Sequence, residues 1–177
     1  MPQMDRLAFD RMYGGAADPY GLRTRWYEAR KRAILLAALT RVRYASAFEP
    51  ACGIGVLTRD LAQRCDHVLA SDFSEHAVAA TREAVRELRN VDVVQQAVPD
   101  QWPLQRGAFD LFVLSELGYF LSARDMAGVA QRCEQSLGPD GTLVACHWTP
   151  DFDDRRLTTQ TVHGMLDAVG LCRVAHY

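Results

Sequence analysis

Residues 46–72 read S-A-F-E-P-A-C-G-I-G-V-L-T-R-D-L-A-Q-R-C-D-H-V-L-A-S-D, and this stretch decides the fold. It predicts a buried strand over 44–48, a turn of small residues over 50–55, a helix over 56–64 and a second strand over 68–71. Glycines at such a first turn let a ligand approach the backbone, and they aim the N-terminus of the next helix at that ligand. The stretch therefore predicts a parallel strand–helix–strand unit with a ligand site at its first turn.

A carboxylate at the end of the second predicted strand indicates a nucleotide-type ligand. Asp72 follows Gly53 by 19 residues, a separation that suits a side chain accepting hydrogen bonds from a ribose diol. The alternative is an ordinary crossover whose glycines only permit a tight turn. Glu49 at the end of the first strand and Asp72 at the end of the second favour the nucleotide-type site.

The choice of nucleotide depends on the third position of the glycine pattern. Dinucleotide-binding proteins place a glycine three residues after the second one, and this chain has Thr58 there. The run Glu49-Pro-Ala-Cys-Gly-Ile-Gly55 instead resembles the acidic-x-Gly-x-Gly-x-Gly signature of class I S-adenosylmethionine-dependent methyltransferases, with Ala51 in place of the first glycine. The resemblance implies that Glu49 lies near the methionine ammonium and Asp72 near the ribose. Because this cofactor has no pyrophosphate, the third glycine can be absent.

Further motifs are distributed over nearly the whole chain. They are Asp18-Pro-Tyr20, Trp26-Tyr-Glu-Ala-Arg-Lys-Arg32, Phe48-Glu-Pro50, Gly55-Val-Leu-Thr58, Ser115-Glu116, Tyr119 and His147-Trp148. Together they resemble the nodulation-type (NodS-like) N-methyltransferases. The resemblance implies that the acceptor is the free amino group of a de-N-acetylated chitooligosaccharide. It also implies that Arg30 binds the carboxylate of the cofactor, whereas an ion pair with Glu28 or another acid is the alternative for that arginine.

The alternation of strands with helices predicts an α/β fold, a doubly wound, mostly parallel sheet with helices on both faces. We expect helices over 25–39 and 75–88, capped by Thr24 and Ser74, a turn over 138–141 and a last strand over 171–177. In the Rossmann-like methyltransferase fold, which the resemblance implies, an antiparallel hairpin closes the edge of the sheet. The sequence stops after one of its strands, so we expect either a truncated chain or a disordered tail.

Length and composition indicate one domain over 1–177, and the resemblance implies a catalytic core over 23–177. The arm over 1–22 is expected to be either poorly ordered or a lid that brings Tyr13 and Tyr20 over the cofactor. The net charge of −2 argues against a nucleic-acid partner. Five cysteines without paired spacing indicate free thiols in a reducing compartment and give no indication of a metal site. Without a signal pattern or a long apolar run, we expect a soluble, cytoplasmic protein with no membrane partner.

Candidate cofactor residues lie at the predicted carboxyl ends of the strands. We expect Phe73 to pack on an adenine ring and Gln96 and Ala97 to reach the edge of that ring. The alternative is that these residues only form part of the cavity wall and do not bind the ring. The full set of candidate cofactor-binding residues is Arg30, Glu49, Ala51, Gly53, Gly55, Asp72, Phe73, Gln96, Ala97 and Ser115.

Candidate catalytic residues follow the fourth and fifth predicted strands. An amine acceptor must lose a proton before it attacks, so Glu116 is expected to position the amine or accept its proton, with His147 as partner or substitute. The alternative is a hydrogen-bonded core histidine and a salt-bridged glutamate. Tyr20, Tyr119 and Trp148 are the expected lining of the acceptor pocket, because aromatic faces suit sugars and cations.

Two other functions remain open from the sequence. A nicotinamide-dependent oxidoreductase would use the same first turn, although Thr58 and Ala51 count against it. A catalytically silent nucleotide-binding or interaction protein is the second alternative.

Overall fold

Helices and strands alternate along residues 6–103 and 109–177, which are the parts of the chain that our computed structural model describes. The strands are β1 (Tyr44–Pro50), β2 (Cys65–Asp72), β3 (Val91–Gln95), β4 (Phe109–Ser115) and β5 (Leu137–Cys146). The helices are α1 (Arg6–Gly15), α2 (Trp26–Ala38), α3 (Val56–Ala62), α4 (Glu75–Val85), α5 (Ala123–Ser136) and α6 (Thr159–Asp167), with a short 3-10 turn at Gly118–Phe120.

The five strands form one parallel sheet in the order β3-β2-β1-β4-β5. Phe48 at the centre of the sheet pairs with Leu69 on one side and with Phe112 on the other. The strand order reverses direction between β1 and β4. In a doubly wound sheet, ligands bind beyond the carboxyl ends of the strands at this switch point.

Successive residues of β1 face opposite sides of the sheet, as expected for a pleated strand. Ala47 packs in a core with α2 and α3, and Phe48 packs in a second core with α5 and α6. Both side chains are fully buried. The predicted doubly wound α/β fold with helices on both faces is therefore confirmed.

Two local predictions were wrong or incomplete. Arg25, not Thr24, is the N-cap residue of α2, and it makes no side-chain capping bond. Residues 138–141 were expected to form a turn but lie inside β5, where the register shifts so that Phe109 pairs with Leu137 and Leu111 with Thr142. Asp140 has a φ of 57° there, so the predicted turn corresponds to an irregular, bulge-like stretch of the strand.

The C-terminal segment also differs from the expectation. Residues 171–177 form no strand, so the predicted last strand was wrong for this part of the described chain. By contrast, Ser74 caps α4 as predicted, because its side chain accepts a hydrogen bond from the backbone N–H of Ala77. No helix within residues 6–103 and 109–177 is long and apolar enough to cross a membrane.

Gly55 provides a test of the packing between α3 and α4. Its φ of 75° is left-handed, and an added Cβ would lie 3.1 Å from the Cα of Thr81. We expect Gly55→Ala to lower the free energy of unfolding by about 2–4 kcal/mol, from backbone strain and overpacking together. Urea unfolding followed by circular dichroism measures the change.

The matched control is Gly164→Ala in α6, where an added Cβ has no heavy atom of the described residues within 4 Å. That change should raise the free energy of unfolding by up to about 1 kcal/mol, since alanine is the better helix former. Equal effects of the two substitutions would contradict this account of the turn.

Candidate active site

A cavity of about 420 Å³ opens at the carboxyl ends of the central strands, at the switch point of the sheet. Most of the predicted site residues line it, and they come from segments that are far apart in the sequence. Those in the wall are Tyr20, Glu49, Ala51, Gly53, Asp72, Phe73, Gln96, Ala97, Ser115, Glu116 and Tyr119. Four predicted residues, Arg30, Gly55, His147 and Trp148, are not part of the wall.

The carboxylate of Asp72 joins two loops at the floor of the cavity. Its Oδ2 accepts a hydrogen bond from the N–H of Gly53 at 3.0 Å, and its Oδ1 accepts one from the N–H of Ser74 at 2.9 Å. Burial raises the pKa of Asp72 to about 6, against the lowering effect of these backbone bonds. Each carboxylate oxygen still has acceptor capacity for a hydroxyl donor in the cavity.

Glu49 explains why threonine stands where a dinucleotide-binding protein has glycine. The hydroxyl of Thr58 donates to Oε2 of Glu49 at 2.6 Å, and both side chains are buried. Burial raises the pKa of Glu49 to about 8, and the bond from Thr58 lowers it only in part. An ammonium ligand would favour the ionised form of this buried carboxyl group, whereas a pyrophosphate would disfavour it, because opposite charges attract and like charges repel.

The turn after β1 has a left-handed backbone at three alternate residues. The φ angles are 58° at Ala51, 57° at Gly53 and 75° at Gly55. This geometry accounts for the alternating glycines of the motif, and alanine at 51 adopts it at a cost of about 1–2 kcal/mol. Gly55 therefore shapes the turn without lining the cavity.

The N-terminal arm covers one side of the cavity. An added Cβ at Gly53 would lie 3.1 Å from the hydroxyl oxygen of Tyr13 in α1, which shows how closely the arm approaches the turn. Asp10 fixes α1 to the start of α4, since it accepts a hydrogen bond from the hydroxyl of Ser74 at 2.6 Å and pairs with His76 at 3.0 Å. Tyr20 of the same arm also lines the cavity, and burial raises the pKa of its phenol to about 12. Residues 1–5 of the arm predicted over 1–22 lie outside the described residues.

An aromatic ring that contacts the arm and an unsatisfied amide oxygen also belong to the cavity wall. Phe73 lines the cavity directly after Asp72, with the ring of Phe9 5.7 Å away. The buried Oε1 of Gln96 has no hydrogen-bond partner within residues 6–103 and 109–177. An acceptor left unpaired in a ligand cavity favours a ligand that brings its own N–H donor, because burial without a partner is costly.

Glu116 lies at the end of β4 and is held from three directions. Its Oε1 accepts from Nζ of Lys31 at 3.1 Å, and its Oε2 accepts from the N–H of Trp148 at 3.2 Å and from the hydroxyl of Tyr119. Burial raises the pKa of Glu116, and the charge of Lys31 acts in the opposite direction. The side chain remains in the cavity wall, where it can contact an acceptor.

His147 directly follows β5, and its contacts match the alternative of a hydrogen-bonded core histidine. Its Nε2 accepts the N–H of Gly118 at 3.0 Å, so its Nδ1 carries the proton and donates to Nε2 of His163 at 3.0 Å. Burial lowers the pKa of His147 to about 3, with His163 acting in the same direction. Because both ring nitrogens are engaged inside the fold, the structure does not support a catalytic His147 and assigns it to holding the segment after β4.

Two further predicted residues face away from the cavity. Arg30 is exposed, and its guanidinium lies 5.9 Å from the ring centroid of Trp26. The ring of Trp148 packs edge-on against Tyr27 at 4.7 Å, while its backbone N–H binds Glu116. Neither Arg30 nor Trp148 lines the cavity in this structure, and their roles as cofactor ligand and pocket lining stay predictions.

Sequence reasoning missed Glu28 and Lys31, which line the cavity one helical turn apart. Both residues belong to the motif 26–32 that contains Arg30, and in that motif Lys31 rather than Arg30 lines the cavity. Only the packing of α2 across the ends of β4 and β5 shows which side chain enters.

The sequence around these residues is similar to that of known methyltransferase domains. The sequence profile described as "Methyltransferase domain" matches residues 47–141, more than half of the chain. Nodulation protein S of Sinorhizobium fredii (strain NBRC 101917 / NGR234) is 28% identical over 133 residues, which are 73% of this chain and 60% of that protein. The chain therefore spans less than two thirds of this curated relative.

Solved structures share the fold. A Pseudomonas syringae protein that carries the description methyltransferase is 42% identical, with a TM-score of 0.75 over 86% of this chain and 93% of that one. The N-methyltransferase NodS of Bradyrhizobium japonicum WM9, solved with S-adenosyl-l-homocysteine, has a TM-score of 0.83 at 20% identity, covering 93% of this chain and 85% of that one.

The buried imidazole of His147 predicts a specific loss of stability in acid. Its pKa of about 3 in the folded chain lies below the ordinary value of about 6.5, so the unfolded chain binds a proton first as the pH falls. Between pH 6.5 and 5 this group should lower the free energy of unfolding by roughly 2 kcal/mol.

His147→Gln keeps an acceptor for Gly118 and removes the titration. Urea unfolding at both pH values should show a smaller acid loss for the variant than for the wild type. The same acid loss in both proteins would contradict a buried neutral imidazole.

Proposed function

Because the chain belongs to the methyltransferase domain family, we propose that it transfers a methyl group from S-adenosylmethionine to an amine nitrogen of a small acceptor. The observation that carries the proposal is one cavity lined by Asp72 at the end of β2, Glu49 in β1 and Glu116 directly after β4. The first two side chains suit the sugar and the methionine ammonium of the cofactor, and the third suits an amine.

The residues of the cavity fit this cofactor. Asp72 offers acceptor positions to ribose hydroxyls, and the unpaired Oε1 of Gln96 offers one to an adenine amino group. Phe73 provides an apolar face beside them. The carboxyl group of Glu49 lines the cavity, which supports a role in binding the methionine ammonium.

When bound, S-adenosylmethionine supplies an electrophilic methyl carbon on a sulfonium centre. The protein then has to orient the acceptor and remove one proton from its ammonium form. Glu116 can accept that proton, because its carboxylate reaches the cavity and its pKa is raised by burial. Tyr20 and Tyr119 border the same space and provide aromatic faces for a cationic acceptor.

The acceptor class follows from the NodS-like motifs. The free amino group of a de-N-acetylated chitooligosaccharide is the candidate that this resemblance supports, together with the 28% identity to nodulation protein S. An amino sugar presents an ammonium among hydroxyl groups, which matches a carboxylate surrounded by tyrosines.

Cofactor binding is tested by titration calorimetry with S-adenosylhomocysteine. Asp72→Asn removes the charge that ribose hydroxyls would donate to, and we expect affinity to fall by about 1.5–3 kcal/mol, roughly 10- to 150-fold. Asp92→Asn is the control, since its carboxylate lies on β3 with 72% of the side chain exposed. Equal affinities for wild type and Asp72→Asn would remove Asp72 from the site.

Methyl transfer is tested by mass spectrometry of glucosamine oligomers incubated with S-adenosylmethionine. We expect a gain of one methyl group per accepting amine, and a rate for Glu116→Gln lower by about 10²- to 10⁴-fold, the usual contribution of a general base. Cofactor affinity should be unchanged in that variant. Cofactor binding without transfer to any amine would instead indicate a catalytically silent protein.

A further inference from the structure

Of the 20 lysine and arginine residues of the chain, only Lys31 is a lysine. It lies in the cavity wall, and its side chain is only 9% exposed. Lysine differs from arginine in carrying a compact ammonium that can fit between two carboxylates. The ammonium of Lys31 contacts two such carboxylates, those of Glu28 and Glu116.

The ammonium of Lys31 bridges two acids that come from distant segments. Nζ lies 2.7 Å from Oε2 of Glu28, one turn earlier in α2, and 3.1 Å from Oε1 of Glu116 at the end of β4. It also lies 5.6 Å from the ring centroid of Tyr27. The bridge joins α2 to the edge of the sheet at the acceptor end of the cavity.

Glu116 needs external support in its observed conformation. Its φ of 56° is left-handed, which costs a side chain about 1–2 kcal/mol and persists only where surrounding contacts impose it. The backbone N–H of Glu116 donates to the carbonyl of Cys146 at 2.9 Å, and this bond fixes the main chain. Lys31, Tyr119 and the N–H of Trp148 fix the carboxylate.

Lys31 places one positive charge between two carboxylates at this part of the cavity. Burial lowers the pKa of Lys31, but Glu116 and Glu28 outweigh it and raise that pKa, so the ammonium stays charged. The other titratable groups facing this cluster are Tyr27 on α2, Tyr119 after β4, and Cys146 and His147 at the end of β5. Without the ammonium, two partly buried carboxylates would share one site, and one of them would take up a proton.

We propose that Lys31 is a positioning residue for methyl transfer, which keeps Glu116 ionised and oriented toward the acceptor nitrogen. This inference rests on the proposed function, because it assigns Lys31 a role through Glu116. Lys31 itself is not the base, since its own proton is held between two carboxylates.

The kinetic test replaces Lys31 with methionine, which has a similar length and no charge. We expect kcat to fall by about 10- to 100-fold, part of the usual contribution of a general base, with cofactor affinity unchanged. The acid limb of the pH–rate profile should move to higher pH than in wild type, because Glu116 loses the cation that lowers its pKa. Wild type and Lys31→Met are assayed with the same acceptor. The ionisation of that acceptor therefore affects both pH–rate profiles equally and does not contribute to the difference between them.

Two further variants separate positioning from a merely structural role. Lys31→Arg should return the acid limb toward its wild-type position, because the charge is restored. The double variant Lys31→Met/Glu116→Gln should be no slower than Glu116→Gln alone, because both substitutions remove the same function, that of the Glu116 carboxylate. An unmoved acid limb, or additive losses, would overturn the proposal.

A second measurement does not depend on activity. Protein grown with ¹³Cε-lysine gives one lysine resonance, whose pH titration reports Lys31 alone. Its midpoint should lie above about 10.4, the ordinary value for lysine, and Glu116→Gln should lower it. An ordinary midpoint that is insensitive to Glu116→Gln would overturn the pairing. A coupled midpoint in a protein that methylates no amine would refute the proposed function and reduce Lys31 to a structural ion pair.

Discussion

The site depends on a single buried carboxylate, that of Asp72, which ties the end of β2 to two other segments. Through Gly53 it fixes the turn after β1, and through Ser74 it fixes the start of α4. Hydrogen bonds to a charged group contribute about 1.5–3 kcal/mol each, and here they offset only part of the burial, which raises the pKa of Asp72 to about 6. Because the same carboxylate faces the cavity, the contacts that stabilise the fold also place an acceptor where a ribose would lie.

The carboxylate of Glu116, like that of Asp72, is held by contacts from several segments of the chain. Glu116 is forced into a left-handed conformation at the end of β4, and contacts from α2, the segment after β4 and the end of β5 hold it there. His147 contributes indirectly, since its imidazole binds the N–H of Gly118 and thereby fixes the segment between Glu116 and Tyr119. Charged groups at this end are thus oriented before any ligand arrives, which is how preorganised sites lower the cost of charge movement.

The sequence alone predicted the parts that are set by local rules. The glycines at 53 and 55 and the acids at 49 and 72 follow from the geometry of one strand–helix–strand unit, so the left-handed turn and the presence of Glu49, Gly53 and Asp72 in the cavity wall could be foreseen. Lys31 could not, because its contact with Glu116 spans 85 residues and depends on how α2 crosses the sheet. His147 ends a strand as expected, yet its partners Gly118 and His163 come from separate segments and turn it into the core.

The most direct measurement is a crystal structure with S-adenosylhomocysteine. The account predicts ribose hydroxyls about 3 Å from the carboxylate oxygens of Asp72, the adenine between Phe73 and Gln96, and the sulfur directed toward Glu116. Density for the ligand away from Asp72, or an adenine at the Glu116 end of the cavity, would contradict it.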